Sequence, residues 1–246
     1  MRAATRHNQQ TAAAGAAPYD AAMTTSAIAK PSNAHLIDGP AGALEVALDH
    51  APAPVQPVVA VVSHPLPTEG GTMHNKVVTM TARALRELGI DTVRFNFRGT
   101  GASGGTFDEG IGETDDLSAV AQWARAQRPD AQLWLAGFSF GAYVTLRATE
   151  QLQPAFVLAI APPVGRSWDF STLVLPTCPW LVIQGEADEI VSPHAVFEWI
   201  GTLQTPPELV RMPDTSHFFH RKLMDLRGAI KHGVRPFLPD AGRRHA

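Results

Sequence analysis

From about Gly42 onward, short runs of apolar and β-branched residues alternate with longer stretches whose apolar residues recur at helical spacing. This alternation is typical of βαβ units, in which parallel strands are connected by helices that cover the sheet. Seven runs are predicted to be strands: Leu44–Leu48, Val58–Ser63, Thr92–Phe97, Gln132–Gly137, Phe156–Ile160, Trp180–Gln184 and Glu208–Met212. The pattern therefore predicts an α/β fold with a mostly parallel sheet.

Three of the stretches between these runs have a single apolar face, as an amphipathic helix requires. The apolar positions are Val77, Val78, Leu85 and Leu88 in the first, Leu117, Val120, Ala121 and Ala124 in the second, and Phe219, Leu223, Leu226 and Ile230 in the third. We expect these faces to cover the sheet.

The length of 246 residues suits one α/β domain, which we assign to residues 34–240. Residues 1–33 are rich in alanine and threonine without sustained periodicity, so they are predicted to be a disordered tail. Residues 241–246 are predicted to be a short C-terminal tail.

The composition argues against several kinds of partner. Charged residues make up 17% of the chain and the formal net charge is -3, so no polybasic face is available for nucleic acid. No apolar run is long enough to span a membrane. The single cysteine, Cys178, can form neither an internal disulfide nor a cysteine-rich metal site. We expect a cytoplasmic protein.

A candidate nucleophile lies in the pentapeptide Gly137-Phe138-Ser139-Phe140-Gly141, which follows a predicted strand and precedes a helix-compatible segment, Ala142–Leu152. A serine on such a sharp turn projects its hydroxyl at the edge of the sheet, and flanking glycines remove Cβ atoms that would clash. The pentapeptide alone is a weak signal. Its strand-turn-helix context makes Ser139 a predicted catalytic nucleophile.

A serine hydroxyl needs a base within hydrogen-bond reach and a group that orients the base. Two loops after later predicted strands carry these residue types. Asp188 follows the strand that ends at Gln184, with Glu186 and Glu189 as competing acids, and His217 follows the last strand, with His220 as a competing base. We favour Asp188 for its distance from the strand end and His217 for lying nearer its own strand.

An oxyanion formed at Ser139 needs fixed hydrogen-bond donors. The N–H of Phe140, directly after the nucleophile, is the first candidate. The second comes from the loop His64-Pro65-Leu66-Pro67. Because proline has no N–H, Leu66 carries the only free amide between the two prolines, and we predict it as the second donor.

The segment Gly99-Thr100-Gly101-Ala102-Ser103-Gly104 matches the glycine pattern of dinucleotide-binding loops. Such a loop should lead directly into a helix. Here Gly105, Gly110 and Gly112 continue it, so we interpret Arg98 and these glycines as a structural loop beside the site.

With these residues assigned, the chain resembles the α/β-hydrolase superfamily, and most closely its small cap-less bacterial members, the dienelactone hydrolase-like and esterase-like proteins. The resemblance covers about residues 42–238. It is carried by residues 64–67 and 70–78, by Arg94-Phe95-Asn96-Phe97-Arg98-Gly99-Thr100-Gly101, and by the pentapeptide around Ser139. It implies a single, mostly parallel sheet of about eight strands, and hydrolysis of a carboxylic ester or related small acyl compound without a cofactor or metal. Dienelactone hydrolases proper carry cysteine where this chain has Ser139, so their lactone substrate is not implied.

Residues 162–178, where lidded relatives carry a cap, are too few for a cap domain. We therefore expect an open site, a small acyl ester as substrate, and a monomer or homodimer. Four large side chains are candidates for the acyl pocket: Met73, Trp168, Phe170 and Phe218. A thioesterase or small peptidase would use the same triad, and a non-catalytic binding module on this fold is the alternative from another class.

Overall fold

The computed structural model describes residues 34–53 and 55–239. The two predicted tails, 1–33 and 241–246, lie outside the described residues. Among those described, eight strands form one sheet in the order β1-β2-β4-β3-β5-β6-β7-β8. The strands are β1 (Ala34–Ile37), β2 (Leu44–Asp49), β3 (Val58–Ser63), β4 (Asp91–Phe95), β5 (Gln132–Phe138), β6 (Phe156–Ile160), β7 (Trp180–Gly185) and β8 (Glu208–Met212).

Strands β3 to β8 run parallel, whereas β2 pairs antiparallel with both β1 and β4. The described α-helices are α1 (Lys76–Arg86), α2 (Ile111–Gln127), α3 (Phe140–Arg147), α4 (Thr149–Leu152), α5 (Pro193–Thr202) and α6 (Leu223–Val234). The predicted fold, a single mostly parallel sheet of about eight strands with helices and no cap domain, is confirmed.

Two hydrophobic cores lie on opposite faces of the sheet. Along β3 the side chains alternate, so Val59 and Val61 pack on one side while Val58, Ala60 and Val62 pack on the other. Helices α2, α3 and α5 cover the first face, and α1 and α6 cover the second. Four of the six residues of β3 are valine, as is typical of a central parallel strand that is buried on both faces.

Strand β1 and the start of the last helix differ most from the sequence predictions, whereas bounds of β2, β4, β5 and β7 differ by one or two residues. Strand β1 was not predicted, because it is four residues long, half exposed and at the edge of the sheet. The last helix begins at Leu223 instead of near Phe219. Phe219 and Arg221 have positive φ angles of 53° and 59°, which a helix excludes. Phe219 is nevertheless completely buried. It fits the apolar pattern of the helix because it packs into the core from the loop that precedes α6.

Residues 162–178, between β6 and β7, contain neither helix nor strand. This loop leaves the carboxyl end of the sheet uncovered by any inserted domain. In the part of the chain that the structure describes, no helix combines the length and the apolar character needed to cross a bilayer.

Candidate active site

Ser139 lies between β5 and α3 in a sharp turn with φ 52° and ψ -120°. Positive φ is uncommon and strained for a residue other than glycine, and such strain clusters at functional sites. A Cβ atom on Gly137 would overlap the carbonyl of Gly141, and one on Gly141 would come within 2.5 Å of the carbonyl oxygen of His64. The two glycines therefore permit the tight turn that the sequence predicted.

The loops after β7 and β8 bring Asp188 and His217 to this turn. The distance from His217 Nε2 to Ser139 Oγ is 3.0 Å, and that from His217 Nδ1 to Asp188 Oδ2 is 2.8 Å. His217 and Asp188 are buried, with 2% and 8% exposure. The three residues selected from the sequence thus form one continuous chain of hydrogen bonds, whose geometry suits proton transfer from the hydroxyl to the imidazole.

The Asp188 carboxylate is held by four donors. Oδ1 accepts the backbone N–H groups of Ile190 and Val191, and Oδ2 accepts the Gln184 amide at 3.0 Å as well as His217 Nδ1. Burial by itself would raise the pKa of Asp188, but the hydrogen bond and charge of His217, with the two backbone donors, outweigh it and lower that pKa below its ordinary value. The carboxylate stays ionised and aimed at the imidazole.

The competing acids and base do not join this chain of hydrogen bonds. Glu186 forms an exposed ion pair with Arg211, and Glu189 accepts only the backbone N–H of His217, at 3.1 Å. His220 is exposed. Of the candidate acids and bases, Asp188 and His217 are therefore the pair whose hydrogen bonds extend to Ser139.

The loop after β3 lies against the turn that carries Ser139. Its Leu66 carbonyl accepts the N–H groups of Glu69 and Gly71, which closes the loop around a short 3₁₀ helix, Pro67–Glu69. In the described part of the chain, neither the Leu66 N–H nor the Phe140 N–H donates to another residue. Both predicted oxyanion donors are therefore available to a ligand, and their catalytic role stays a prediction.

Sequence reasoning missed His64 and Gln184. His64 is completely buried; its Nδ1–H donates to the Pro65 carbonyl at 2.6 Å, and its Nε2 accepts the Phe97 N–H at 3.1 Å. In a trans peptide the N–H points away from the carbonyl, so fixing the Pro65 oxygen also fixes the direction of the Leu66 N–H. In the sequence, both are polar residues at the end of an apolar strand, and this position was the available signal that they have a role in the site.

Burial lowers the pKa of His64 to about 4 from 6.5, although the hydrogen bond to Pro65 opposes this shift. Between these pH values the unfolded chain binds a proton that the folded chain does not, so the free energy of unfolding falls as the pH falls. We expect the part of the free energy of unfolding that depends on neutral His64 to be fully present above pH 6.5. It should decrease by about 3 kcal/mol as the pH falls to 4. Urea unfolding across this range measures it. The slope should be reduced in His64→Gln and kept in His232→Gln, which changes an exposed histidine; equal slopes in both variants would contradict the assignment.

The four predicted pocket residues occupy different surroundings. Met73 is completely buried, and Phe170 is 7% exposed within the hydrophobic core. Phe218 is 51% exposed beside the His217 ring, and Trp168 lines a cavity of about 430 Å³ together with Leu66. Contact with a substrate stays a prediction for all four.

The glycine-rich loop of residues 99–105 folds back on the chain. Gly104 and Gly105 lie against residues 41–43, and Arg98 binds the Asp116 carboxylate with two nitrogens, at 2.8 and 3.0 Å. The next helix begins only at Ile111. Among residues 34–53 and 55–239, no group of three or more His, Cys, Asp or Glu side chains is arranged to hold a metal ion.

A lidless α/β sheet with a serine on the turn after β5 defines the class of this protein, that of the α/β serine hydrolases. Comparison with known proteins confirms this. Residues 66–175 match the family model described as serine aminopeptidase, S33. The chain is 64% identical to an α/β serine hydrolase without lid from Xanthomonas campestris, over 85% of this chain and 97% of that one, with a TM-score of 0.80.

Two further relatives are similar to this chain over most of its length. An α/β serine hydrolase homologue from Coxiella burnetii is 42% identical over 82% of this chain and 97% of its own, with a TM-score of 0.80. An uncharacterised protein of Rickettsia prowazekii (strain Madrid E) is 35% identical over 202 residues, which are 78% of this chain and 84% of that protein. The chain belongs to the family of α/β serine hydrolases without a lid.

Proposed function

We propose that the protein hydrolyses a carboxylic ester of a small acyl compound, with Ser139 as nucleophile, His217 as base and Asp188 as the residue that orients the base. The observation that carries the proposal is the hydrogen-bonded chain from Ser139 Oγ through the imidazole to Asp188 Oδ2, with distances of 3.0 and 2.8 Å. Serine, histidine and carboxylate in this order supply nucleophile, base and tautomer control.

In the first half of the reaction, Ser139 Oγ attacks the acyl carbonyl carbon while its proton passes to His217 Nε2. The Asp188 carboxylate stabilises the imidazolium that forms. The carbonyl oxygen becomes an oxyanion, which accepts hydrogen bonds from the N–H groups of Phe140 and Leu66. The Phe140 N–H also belongs to the first turn of α3, where the helix dipole favours negative charge.

Collapse of the oxyanion breaks the bond to the leaving alkoxide, which takes the proton from His217 Nε2. The acyl group is then an ester of Ser139. In the second half, water attacks this ester, the imidazole takes the water proton, and collapse of the second oxyanion returns a proton to Ser139 Oγ. The products are a carboxylic acid and an alcohol, and the enzyme is restored.

Two features support an ester of modest size. Residues 162–178 add no cap over Ser139, so no inserted domain encloses a long chain within the described residues. The cavity that Leu66 and Trp168 line, of about 430 Å³, is of the size of a small-molecule pocket. A thioester or an amide bond is open to the same chemistry, and the match to a serine aminopeptidase family model makes peptide cleavage the rival to test.

The test compares p-nitrophenyl butyrate, a butyryl thioester and alanine p-nitroanilide with the wild type, using Ser139→Ala as the blank. We expect the highest kcat/KM with p-nitrophenyl butyrate, because p-nitrophenoxide is the least basic of the three leaving groups. Faster cleavage of the thioester or of the anilide would reassign the substrate class while keeping the nucleophile. Cleavage of none of the three would contradict the proposed function.

A further inference from the structure

One side of α3 presents Ser139, Tyr143 and Arg147 at intervals of four residues. A helix rises about 1.5 Å per residue, so Tyr143 lies about 6 Å and Arg147 about 12 Å beyond the nucleophile along the axis. Both side chains line the cavity that Leu66 and Trp168 also border. The helix that carries the nucleophile therefore also presents a hydroxyl and a guanidinium to the space beside it.

The walls of this cavity are aromatic between its two polar groups and the Ser139 turn. Phe107 and Trp168 line it, and both rings contact Phe140, with centroids 5.7 and 5.2 Å away. The Tyr143 ring packs against this group in a tilted arrangement, its centroid 6.0 Å from that of Trp168. A ligand chain leaving Ser139 would cross apolar surface before it reached Arg147.

Arg147 is exposed and forms no ion pair or hydrogen bond with any described residue, whereas the more buried arginines at positions 94, 98 and 128 each bind a carboxylate. Tyr143 is 6% exposed, and its hydroxyl forms no hydrogen bond within residues 34–53 and 55–239. Polar groups that face a pocket without a protein partner are free to bind a ligand.

Four carboxylates surround Arg147 without pairing with it. Glu109 and Asp169 line the same cavity, and Asp115 and Glu150 line an adjoining one that shares Arg147. Asp169 is exposed and accepts the N–H and hydroxyl of Ser171. All four side chains are exposed, so salt weakens their repulsion of a bound anion. A carboxylate in direct contact with the guanidinium gains charge-assisted hydrogen bonds against this weakened repulsion.

We propose that the substrate is an ester whose cavity-bound part is apolar next to the scissile carbonyl and ends in a carboxylate, as in a monoester of a dicarboxylic acid. Arg147 binds that carboxylate through two parallel N–H donors, and the Tyr143 hydroxyl adds a third hydrogen bond. Arg147 is thereby the specificity-determining residue. This inference rests on the proposed ester hydrolysis and names its substrate class.

The test uses p-nitrophenyl monoesters of straight-chain dicarboxylic acids, paired with p-nitrophenyl esters of monocarboxylic acids of equal chain length. A second set, acetate esters of hydroxy acids and of plain alcohols, covers binding of the alcohol part. For each pair, kcat/KM of the carboxylate-ended ester is divided by kcat/KM of the neutral ester. This ratio is measured for the wild type, Arg147→Met, Tyr143→Phe and Arg166→Met. Arg166 is the matched control, since it is exposed near the cavity but does not line it.

We expect Arg147→Met to lower the ratio by about tenfold or more in one set, because a hydrogen bond to a charged group is lost, and Tyr143→Phe to lower it less. Arg166→Met should leave both the ratio and the hydrolysis of neutral esters unchanged. An unchanged ratio in Arg147→Met, or a wild-type preference for the neutral ester in both sets, would overturn this inference alone. Failure of the wild type to hydrolyse any ester would overturn the proposed function with it.

Discussion

Ser139→Ala is expected to lower kcat/KM for the best ester by about four to six orders of magnitude. The hydroxyl is the atom that forms the acyl-enzyme, and no other side chain lies within hydrogen-bond reach of His217 Nε2 among the described residues. The residual rate would come from water held by His217 and from the oxyanion donors. Steady-state hydrolysis, measured with protein from a host lacking background esterase, gives the value.

The fold of this variant should be intact. Alanine keeps the backbone strain at φ 52°, and the removed oxygen is partly exposed, so thermal unfolding is expected to shift by only a few degrees. A folded Ser139→Ala protein with more than about a tenth of the wild-type rate would show that another group carries the reaction.

Asp188→Asn is expected to lower kcat by about four orders of magnitude, with little change in KM. An asparagine amide can donate to His217 Nδ1, which favours the tautomer that carries its proton on Nε2 and cannot accept one from Ser139. It also loses the charge that stabilises the imidazolium. Its pH–rate profile and kcat, compared with those of the wild type, measure both effects.

Glu189→Gln is the matched control for this change. Glu189 is the next carboxylate along the loop, and its Oε2 accepts the backbone N–H of His217 at 3.1 Å. Glutamine keeps an acceptor oxygen there while removing the charge, so we expect kcat to fall less than about tenfold. If the two variants lost activity equally, Asp188 would not be the residue that orients the base.

Much of the candidate site could be predicted because its signals are local. The pentapeptide around Ser139 specifies its own turn, and the two prolines around Leu66 leave one free amide. The acid and base were found by their place in loops after strands, which depends on strand assignments that the alternating pattern made clear. Each of these inferences needed only residues close together in the chain.

The unpredicted parts depend on how the chain folds back on itself. His64 accepts a hydrogen bond from Phe97 of a neighbouring segment, and the Gln184 amide reaches Asp188 because the loop between them folds back. Strand β1 gains its structure by pairing with β2, and four half-exposed residues carry no pattern of their own. Met73 illustrates a different limit: an apolar side chain looks the same in sequence whether it lines a pocket or, as here, is completely buried.

Intact-mass measurement after exposure to a fluorophosphonate shows whether Ser139 is an activated nucleophile. We expect a single adduct on the folded wild type, slower labelling of Asp188→Asn, and none on Ser139→Ala. An unlabelled wild type, or an adduct that persists in Ser139→Ala, would contradict the assignment of Ser139 as the nucleophile.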